Sequence, residues 1–360
     1  MSKQYELDFE QYIKQGEPDK SRNCMAWQTA MGLQAVDGLK PSEMLKEMAA
    51  RNIEGELSID EVRKLVDSYY ENKNLRTEDD ASEEADKVSV NIRNLLESKT
   101  FTFSVAELIG IHRQLFKGVF MHAGTIRTYN ISKREWILDG ESVVYADHEM
   151  IMETLEYDFE KEKSFNYIGL APHEMIKHFS RFVSNIWQIH PFREGNTRTT
   201  AVFAIKYLNA LGFDVSNDAF IDNSWYFRNA LVRANYSNVK RKISFNTEYL
   251  EKFFCNLLLG ENNELRNRHL HVNASLLAEN LPVNNDNLPV KIENLPVKKT
   301  CKALLLLLIE NPSITYDELA MRIKKTRETV RVNLRKLEGM GFVRRVGSDK
   351  NGHWEVLFSK

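Results

Sequence analysis

The chain has 360 residues, of which 42% are hydrophobic and 28% charged, a balance typical of a globular protein and not of a disordered one. A formal net charge of −2 excludes a strongly basic or acidic chain with an overall attraction to nucleic acid or membrane. The charge is uneven, since 14 basic and 7 acidic residues follow from Lys298 onward, which gives this part +7 and the remainder −9. We expect an acidic body with a basic C-terminal appendage.

The cysteines and the apolar runs bear on the cellular compartment. Cys24, Cys255 and Cys301 are widely spaced and follow no ligand pattern, so the sequence indicates neither a disulfide framework nor a zinc site. The N-terminal residues include no apolar signal region, and the most apolar run, Leu304 to Ile309, is too short to span a bilayer. We predict a cytoplasmic protein that makes no membrane contact.

The chain up to about Leu96 is predicted to be helical. The start signal Pro41-Ser42-Glu43 precedes an apolar stripe at helical spacing, and Gly55 is a plausible stop for that helix. The two stripes in this part consist of Met44, Leu45, Met48 and Ala49, and of Val62, Leu65, Val66 and Tyr69.

A short β-hairpin is predicted between Gly124 and Asp147. Trp136, Ile137 and Leu138 precede the turn signal Asp139-Gly140, and a second apolar run, Val143 to Tyr145, follows it. Since the surrounding sequence is helical, we interpret this hairpin as a surface device.

Four helices are predicted in the middle of the chain. An apolar stripe from Met175 to Trp187 predicts a buried helix that ends near His190. A second helix follows the next loop and ends near Gly212, and further helices are expected over about 224–235 and 247–259.

The sequence Asn-Leu-Pro-Val occurs three times, at residues 280–283, 287–290 and 294–297. A period of seven suggests a coiled coil, but a proline in each repeat blocks a helix interior, so an extended linker is predicted. After it, three helices and a two-stranded hairpin are expected, which is the order of a winged helix-turn-helix. We divide the chain into residues 1–96, 97–275, 276–299 and 300–360.

The segment His190 to Arg198, between two apolar helices, contains the parts of a phosphate-transfer site. His190 titrates near neutrality and can take a proton from a hydroxyl, and Glu194 is an oxygen ligand suited to Mg²⁺. Gly195 and Asn196 precede a helix N-terminus, which can hold phosphate, and Arg198 adds a fork of donors. Taken singly, each residue also fits a cap, a turn or a solvated charge. Their joint order favours the functional interpretation.

That order resembles the signature of the Fic family, His-Pro-Phe-x-(Asp/Glu)-Gly-Asn-Gly-Arg-x-x-Arg. The segment Gly124-Thr125-Ile126-Arg127 with the hairpin after it is similar to the family's target-docking flap, and Trp225 to Leu231 is similar to the helix after the motif. The resemblance covers about residues 100–260. It implies a mainly α fold, a helical core with one β-hairpin flap, to which the small winged helix-turn-helix domain is added.

The resemblance implies transfer of AMP from ATP to a hydroxyl side chain of a target protein. His190 would then be the general base, Glu194 the Mg²⁺ ligand, and Gly195, Asn196, Thr197 and Arg198 the phosphate-binding residues. The flap residues Trp136, Ile137 and Leu138 would clamp the target by strand addition. The reverse reaction, removal of AMP, stays open.

Two positions depart from the family pattern. Thr197 stands where the signature has its second glycine, and Ala201 stands where it has its second arginine. The backbone N–H and the hydroxyl of Thr197 can both serve a phosphate, whereas the loss of the arginine removes a contact to the terminal phosphate. A second function therefore stays open, a DNA-binding regulator in which the Fic core is a nucleotide sensor or a weakened enzyme.

Many Fic proteins have an inhibitory helix with the pattern (Ser/Thr)-x-x-x-Glu-(Gly/Asn). Residues 50–55 are similar in their final Glu54-Gly55, and residues 33–38 are a looser match that ends in Asp37-Gly38. Glu54 and Asp37 are therefore regulatory candidates. Either Glu54 restrains catalysis, for example by pairing with Arg198, or it is a solvated helix charge.

The winged-helix segment has a basic presumed recognition helix. Arg327, Arg331 and Arg335 share one face at four-residue spacing. This pattern favours DNA as a partner, and a protein-interaction surface is the alternative.

Overall fold

The computed structural model describes residues 18–72, 80–213, 215, 218–273, 299–339, 342–346 and 353–356. The chain divides into two compact units, Met1–Val272 and Asn273–Lys360. The division into residues 1–96, 97–275, 276–299 and 300–360 stays a prediction, and the whole proline-rich repeat lies outside the described residues.

The N-terminal part of the first unit, as far as the structure describes it, consists of helices, as the sequence predicts. They are α1 (Pro18–Gly32), a 3-10 helix (Leu33–Asp37), α2 (Glu43–Ile53), α3 (Ile59–Glu71) and α4 (Asp80–Glu97). The hydroxyl of Ser42 caps α2, because it accepts a hydrogen bond from the backbone N–H of Leu45 at 3.1 Å. Gly55, with φ of 79°, follows the end of that helix.

A larger helical core follows. It consists of α5 (Val105–Leu115), α6 (Ile151–Lys163), α7 (Pro172–Ile189), α8 (Asn196–Ala210), α9 (Asp218–Ala234) and α10 (Glu248–Leu259). Short 3-10 helices lie at Trp136–Leu138, His148–Met150 and Asn267–Leu270. Helix α7 packs on α8 through a cluster of aromatic rings that includes Phe182 and Phe203. The predicted helix that ends near His190 and the next one that ends near Gly212 are confirmed.

The predicted strands between Trp136 and Tyr145 are absent from this described segment, so this detail of the prediction was wrong. Trp136–Leu138 forms a 3-10 helix, and the chain turns at Asp139 and Gly140, whose φ angles are 61° and 83°. The chain does double back, because the backbone N–H of Glu135 donates to the carbonyl of Glu141 at 2.9 Å. The 3-10 helix at Trp136–Leu138 takes the place of the predicted first strand.

The second unit is a winged helix-turn-helix. It contains α11 (Lys299–Glu310), α12 (Tyr316–Arg322), α13 (Arg327–Gly339), β1 (Val343–Val346) and β2 (His353–Val356). The strands are antiparallel, with Val343 opposite Val356 and Val346 opposite His353. Leu304, Leu334 and Trp354 belong to its own core, separate from the core of the first unit.

The mainly α fold class is confirmed, and the two-stranded hairpin that the structure describes belongs to the winged helix. Among the residues with assigned structure, no helix combines the length and the apolar character that a membrane crossing requires.

Candidate active site

Helix α7 is followed by its C-cap residue His190, whose backbone lies in the left-handed region with φ of 52°. Its Nδ1 is 3.2 Å from the carbonyl oxygen of Trp187. Since a carbonyl oxygen only accepts, Nδ1 has the ring proton and Nε2 keeps its lone pair. Nε2 is buried and has no hydrogen-bond partner among the described residues. His190 therefore offers a basic nitrogen for proton transfer.

The surroundings of His190 keep the imidazole neutral. Burial is the largest cause, and it lowers the pKa of His190 well below the usual value. The positive charges of Lys133, Arg228 and Arg127 lower this pKa further, and the hydrogen bond to Trp187 acts in the opposite direction. At neutral pH the ring is in the form that accepts a proton.

The buried guanidinium of Arg127 holds the backbone around His190. Its Nε donates to the carbonyl of His190 at 2.8 Å, and its Nη2 donates to the carbonyl of Ile189 at 3.2 Å. Its backbone N–H donates to the carbonyl of Pro191 at 2.9 Å. Arg127 thus satisfies carbonyls at the end of α7. The sequence offered Arg127 as part of a resemblance only, and this positioning contact was not predicted.

The loop between α7 and α8 is fixed by its own side chains. Asn196 Oδ1 accepts from the backbone N–H of Phe192 at 2.9 Å, and its Nδ2 donates to the carbonyl of Phe192 at 2.8 Å. Phe192 is buried and stacks on His112 with ring centroids 3.7 Å apart. Asn196 is therefore engaged within the loop through its side chain.

Gly195 forms the N-cap of α8 with φ of 76°. A Cβ at this position would lie 2.1 Å from Cζ of Phe116, closer than real Cβ contacts. Both the backbone angle and the close packing therefore require glycine. The result is a helix N-terminus whose first N–H groups point away from the helix, a general site for a phosphate.

The carboxylate of Glu194 faces solvent at this helix start. Its side chain is 60% exposed, and Oε2 lies 3.8 Å from Nζ of Lys133. Its backbone carbonyl accepts from Nε2 of His112 at 3.1 Å, while Nδ1 of His112 accepts from the N–H of Gly124 at 2.8 Å. An exposed carboxylate beside a phosphate site has the chemistry that Mg²⁺ prefers.

Thr197 points into the protein and not toward the loop. Its hydroxyl accepts a hydrogen bond from the indole Nε1 of Trp187 at 3.0 Å, and the residue is buried. The expected contact of this hydroxyl with a phosphate is thus not prepared in the structure. The backbone N–H of Thr197, in the first turn of α8, keeps its position at the helix N-terminus.

Arg198 is 2% exposed and is bound by side chains from the N-terminal helices. Its Nη1 donates to Oε1 of Gln34 at 3.0 Å, and its Nη2 donates to Oε1 of Glu84 at 2.7 Å. Its Nε lies 2.8 Å from Oδ2 of Asp37 as an ion pair, outside hydrogen-bonding geometry. Two carboxylates thus pair with the motif arginine. Of its three polar side-chain partners among the described residues, the sequence pointed only to Asp37.

The other regulatory candidate lies elsewhere. Glu54 is the C-cap residue of α2, and its Oε2 is 3.1 Å from Nζ of Lys20. The carboxylates on Arg198 in the described part of the chain are those of Asp37 and Glu84. The structure therefore places the looser of the two sequence matches, residues 33–38, against the motif residue Arg198.

Ala201, which replaces the family's second arginine, is fully buried in α8. Another arginine stands near His190. Arg228 of α9 makes two hydrogen bonds to the carboxylate of Glu135, at 2.8 and 3.0 Å, and lies over the ring of Trp225. Its charge contributes to the low pKa of His190. Arg228 lies in the segment Trp225 to Leu231, and no sequence pattern assigned this arginine a role.

The flap candidates differ in exposure. Ile137 and Leu138 are fully buried, and Trp136 packs half-buried against the same core. The exposed apolar residue of this segment is Val144, at 79%, and its carbonyl accepts from Nε2 of Gln188 at 2.9 Å. Next to it, the ring of Tyr145 lies 4.3 Å from that of His190. The surface beside the imidazole is therefore formed by the second half of the segment.

In the second unit, helix α13 presents the predicted basic face. Arg327, Arg331 and Arg335 are exposed, while Val330, Leu334 and Leu337 are buried in the core of that unit. Arg327 and Arg331 have weak ion pairs, 3.4 Å to Asp317 and 3.5 Å to Glu328. The buried valine and leucines orient the arginines toward solvent.

The chain contains a domain of the Fic/DOC family, since residues 102–208 match that family. Residues 299–344 match the winged helix-turn-helix DNA-binding family. The Fic match spans α5 to α8 and so includes His190, Arg127 and the loop before α8.

One similar protein is a protein adenylyltransferase of Bartonella henselae, 31% identical over 144 residues, which cover 38% of this chain and 26% of that protein. The chain therefore spans about a quarter of that relative's length. Among solved structures, the N-terminal Fic domain of a Bartonella effector protein from Bartonella sp. AR 15-3 has 20% identity and a TM-score of 0.39, covering 49% of this chain and 83% of its own. A Fic family protein from Desulfovibrio desulfuricans G20 has 13% identity and a TM-score of 0.42, covering 99% and 92%.

Proposed function

We propose that the first unit is a protein adenylyltransferase that moves AMP from ATP to a hydroxyl of a target protein. The proposal rests on the neutral His190, whose Nε2 has no hydrogen-bond partner among the described residues. Along the chain, a short loop joins this residue to the N-terminus of α8. The match to the Fic/DOC family and the similarity to a protein adenylyltransferase support it. The reverse reaction, removal of AMP, uses the same groups and belongs to the same proposal.

In the proposed reaction, Nε2 of His190 takes the proton of the attacking hydroxyl. The hydroxyl oxygen forms a bond to the α-phosphorus of ATP, the bond to the bridging oxygen of the β-phosphate breaks, and pyrophosphate leaves with that electron pair. Arg127 holds the backbone on both sides of His190, which fixes the direction of the imidazole. The Nδ1 hydrogen bond to Trp187 fixes the tautomer.

The phosphates would be held by the backbone N–H groups at Gly195, Asn196 and Thr197 and by Arg198. The exposed carboxylate of Glu194 at the same helix start fits a Mg²⁺ ligand. When bound, Mg²⁺ would neutralise charge on the phosphates. Lys133, 3.8 Å from Glu194, adds positive charge to this surface.

We propose that the enzyme is restrained by Asp37 and Glu84. Both carboxylates occupy the guanidinium of Arg198, for which a phosphate would compete. The guanidinium is 2% exposed, so the competition takes place away from solvent, where charge pairing is stronger. Release of Arg198 from the 3-10 helix Leu33–Asp37 would be the activating step.

The target would lie along the segment that follows the turn at Asp139 and Gly140. We propose main-chain pairing as the mode of docking, because it requires little sequence recognition. Since Ile137 and Leu138 are buried, they would anchor the segment in the core. Trp136 and Val144 would contact the target.

Intact-mass spectrometry after incubation with ATP and Mg²⁺ tests the proposed activity. The expected result is a mass gain of one AMP on the chain itself or on a protein from a lysate, and loss of that gain in His190→Ala. The matched control is His269→Ala, an exposed histidine in the 3-10 helix Asn267–Leu270. Equal labelling by the His190 variant would remove His190 from the role of base.

We propose a second function, DNA binding, for the winged helix-turn-helix unit. The exposed arginine face of α13 favours it, as does the match to a DNA-binding family. If the first unit labels nothing, the chain is better explained as a DNA-binding regulator with a nucleotide-sensing Fic core. A mobility-shift titration with duplex DNA at low and high salt tests the second function, and no shift at low salt would favour a protein partner.

A further inference from the structure

Three metal-ligating side chains meet on the surface of the first unit, at the end of α7 opposite His190. His173 lies in the first turn of α7, Cys255 lies in α10, and Glu261 follows α10. One ligand atom from each lies within 4.8 Å of the others. The sequence gives no signal for this cluster because His173 is 82 residues from Cys255 along the chain.

The backbone at the end of α10 brings Glu261 back toward Cys255. Gly260 adopts φ of 66°, a left-handed turn that stops the helix. The N–H of Glu261 then lies 3.4 Å from the carbonyl of Cys255 as a weak hydrogen bond. The cysteine and the glutamate are thus placed side by side by the helix cap.

The carboxylate of Glu261 is oriented by its neighbours. Its Oε1 lies 2.8 Å from Nε2 of His173, and its Oε2 accepts from Nδ2 of Asn263 at 2.8 Å. Asn263 is itself held by Oδ1 of Asn256, which accepts from its backbone N–H at 2.7 Å. Metal-ligating carboxylates are commonly hydrogen-bonded in this way by an outer layer of residues.

The three donors differ in a way that selects among metals. A thiolate, an imidazole and a carboxylate together suit Zn²⁺, whereas Mg²⁺ and Ca²⁺ prefer oxygen ligands alone. Bond lengths of about 2.3 Å to sulfur and about 2.0–2.2 Å to nitrogen and oxygen place tetrahedral ligand atoms roughly 3.3–3.7 Å apart. The side chain of His173 is 68% exposed and is free of core packing, so it can make the small movement that this geometry requires.

We propose that His173, Cys255 and Glu261 bind a zinc ion, with water as the fourth ligand. Binding replaces the thiol proton of Cys255 with the metal, so one proton is released per ion. The ion would join the first turn of α7 to the end of α10. Since α7 ends at His190, the site would brace the helix that leads into the loop before α8. Zinc binding at this site requires no step of the proposed transfer reaction.

Cobalt substitution in the full-length protein tests the site. Co²⁺ bound by a cysteine thiolate has a near-ultraviolet sulfur-to-metal charge-transfer band, so we expect this band to rise to one equivalent in the wild type and to be displaced by Zn²⁺. Cys255→Ser should lose the band, and Cys301→Ser, a buried cysteine of the second unit, should keep it. No band in the wild type, or an unchanged band in the Cys255 variant, would overturn the proposal.

A second measurement covers the case in which the Cys255 variant does not fold. His173→Ala alters an exposed side chain and should weaken zinc affinity by tenfold or more in equilibrium dialysis, and Asn263→Ala by roughly tenfold through loss of orientation. Glu194→Gln, which alters the proposed magnesium ligand, should leave zinc affinity unchanged. Equal affinity of wild type and the His173 variant would show that the three residues form no zinc site.

Discussion

Nε of Arg198 lies 2.8 Å from Oδ2 of Asp37, and this ion pair joins the first turn of α8 to a 3-10 helix 161 positions earlier in the chain. Arg198 is 2% exposed, whereas the side chain of Asp37 is 35% exposed. The carboxylate therefore sits at the edge of the site and the guanidinium lies beneath it. Asp37 is thus the more accessible member of this ion pair.

The first prediction concerns this ion pair. Asp37→Asn removes the negative charge and should raise nucleotide labelling several-fold, because a phosphate no longer competes with that carboxylate. Glu84→Gln should act in the same direction. The readout is the initial rate of labelling with radiolabelled ATP.

Glu54→Gly is the matched control, since Glu54 lies with Lys20 and not with Arg198. Its labelling rate should equal that of the wild type. Faster labelling by the Glu54 variant together with an unchanged labelling rate of the Asp37 variant would assign the restraint to Glu54.

A second prediction follows from the low pKa of His190. Because neutral imidazole is the active form, the rate should be flat across neutral pH and should fall only in acid, below the usual pKa of histidine. Lys133→Met removes a charge that lowers this pKa, so the acid limb of the pH–rate profile should move to higher pH. Lys163→Met, at the exposed end of α6 and not among the charges named as lowering the pKa of His190, is the control and should not move it.

Histidine burial also makes stability depend on pH. His112 is fully buried, and burial lowers its pKa from 6.5 to about 4 in the folded protein. The unfolded chain then binds more protons between these values, so stability falls as pH drops from 6.5 toward 4 and is unaffected above. The loss amounts to about 3 kcal/mol at the acid end.

Urea denaturation of wild type and His112→Asn at several pH values measures this effect. The variant is expected to be less stable at pH 7, because contacts to Glu194 and Gly124 are altered, but to lose less with acidification. An equally steep acid dependence in both proteins would assign the effect to other groups.

The helices could be predicted because their signals are local. Ser42 caps α2, Pro172 opens α7, and Gly212 follows α8 with φ of 93°, each within one turn of the helix that it bounds. The strands at Trp136–Tyr145 were mispredicted for a physical reason. Ile137 and Leu138 are adjacent and both fully buried, which a strand with one buried face does not permit.

The candidate site was predictable only in part. Nine consecutive residues contain His190, Glu194, Gly195 and Arg198, so their combined chemistry could be predicted from the sequence. The partners of Arg198 are not, because Gln34 and Glu84 lie 164 and 114 positions away along the chain. Long-range contacts of this kind depend on how the 3-10 helix Leu33–Asp37 and α4 pack against α8, which no local pattern encodes.

Packing at the start of α8 gives another prediction. Gly195→Ala combines a left-handed backbone with a Cβ 2.1 Å from the ring of Phe116, so it should cost about 2–5 kcal/mol of stability and abolish labelling. Gly212→Ala has a similar positive φ but meets no atom within 4 Å, so only about 1–2 kcal/mol is expected. Urea denaturation of both variants isolates the cost of the clash. Equal losses in the free energy of unfolding would mean that the ring of Phe116 moves aside.

The last prediction concerns the recognition helix. If α13 binds duplex DNA, each phosphate-contacting arginine releases counterions, and log affinity should fall linearly with log salt. Arg331→Ala should weaken binding to every sequence similarly and reduce that slope by about one unit. Lys46→Ala, a surface lysine of the first unit paired with Glu43, is the control for net charge and should leave the slope unchanged.

A base-reading arginine would behave differently, because its loss lowers discrimination between sequences while the salt slope stays nearly the same. Measuring Arg327, Arg331 and Arg335 one at a time therefore separates positioning contacts from base contacts, and three unchanged affinities would show that this face does not bind DNA.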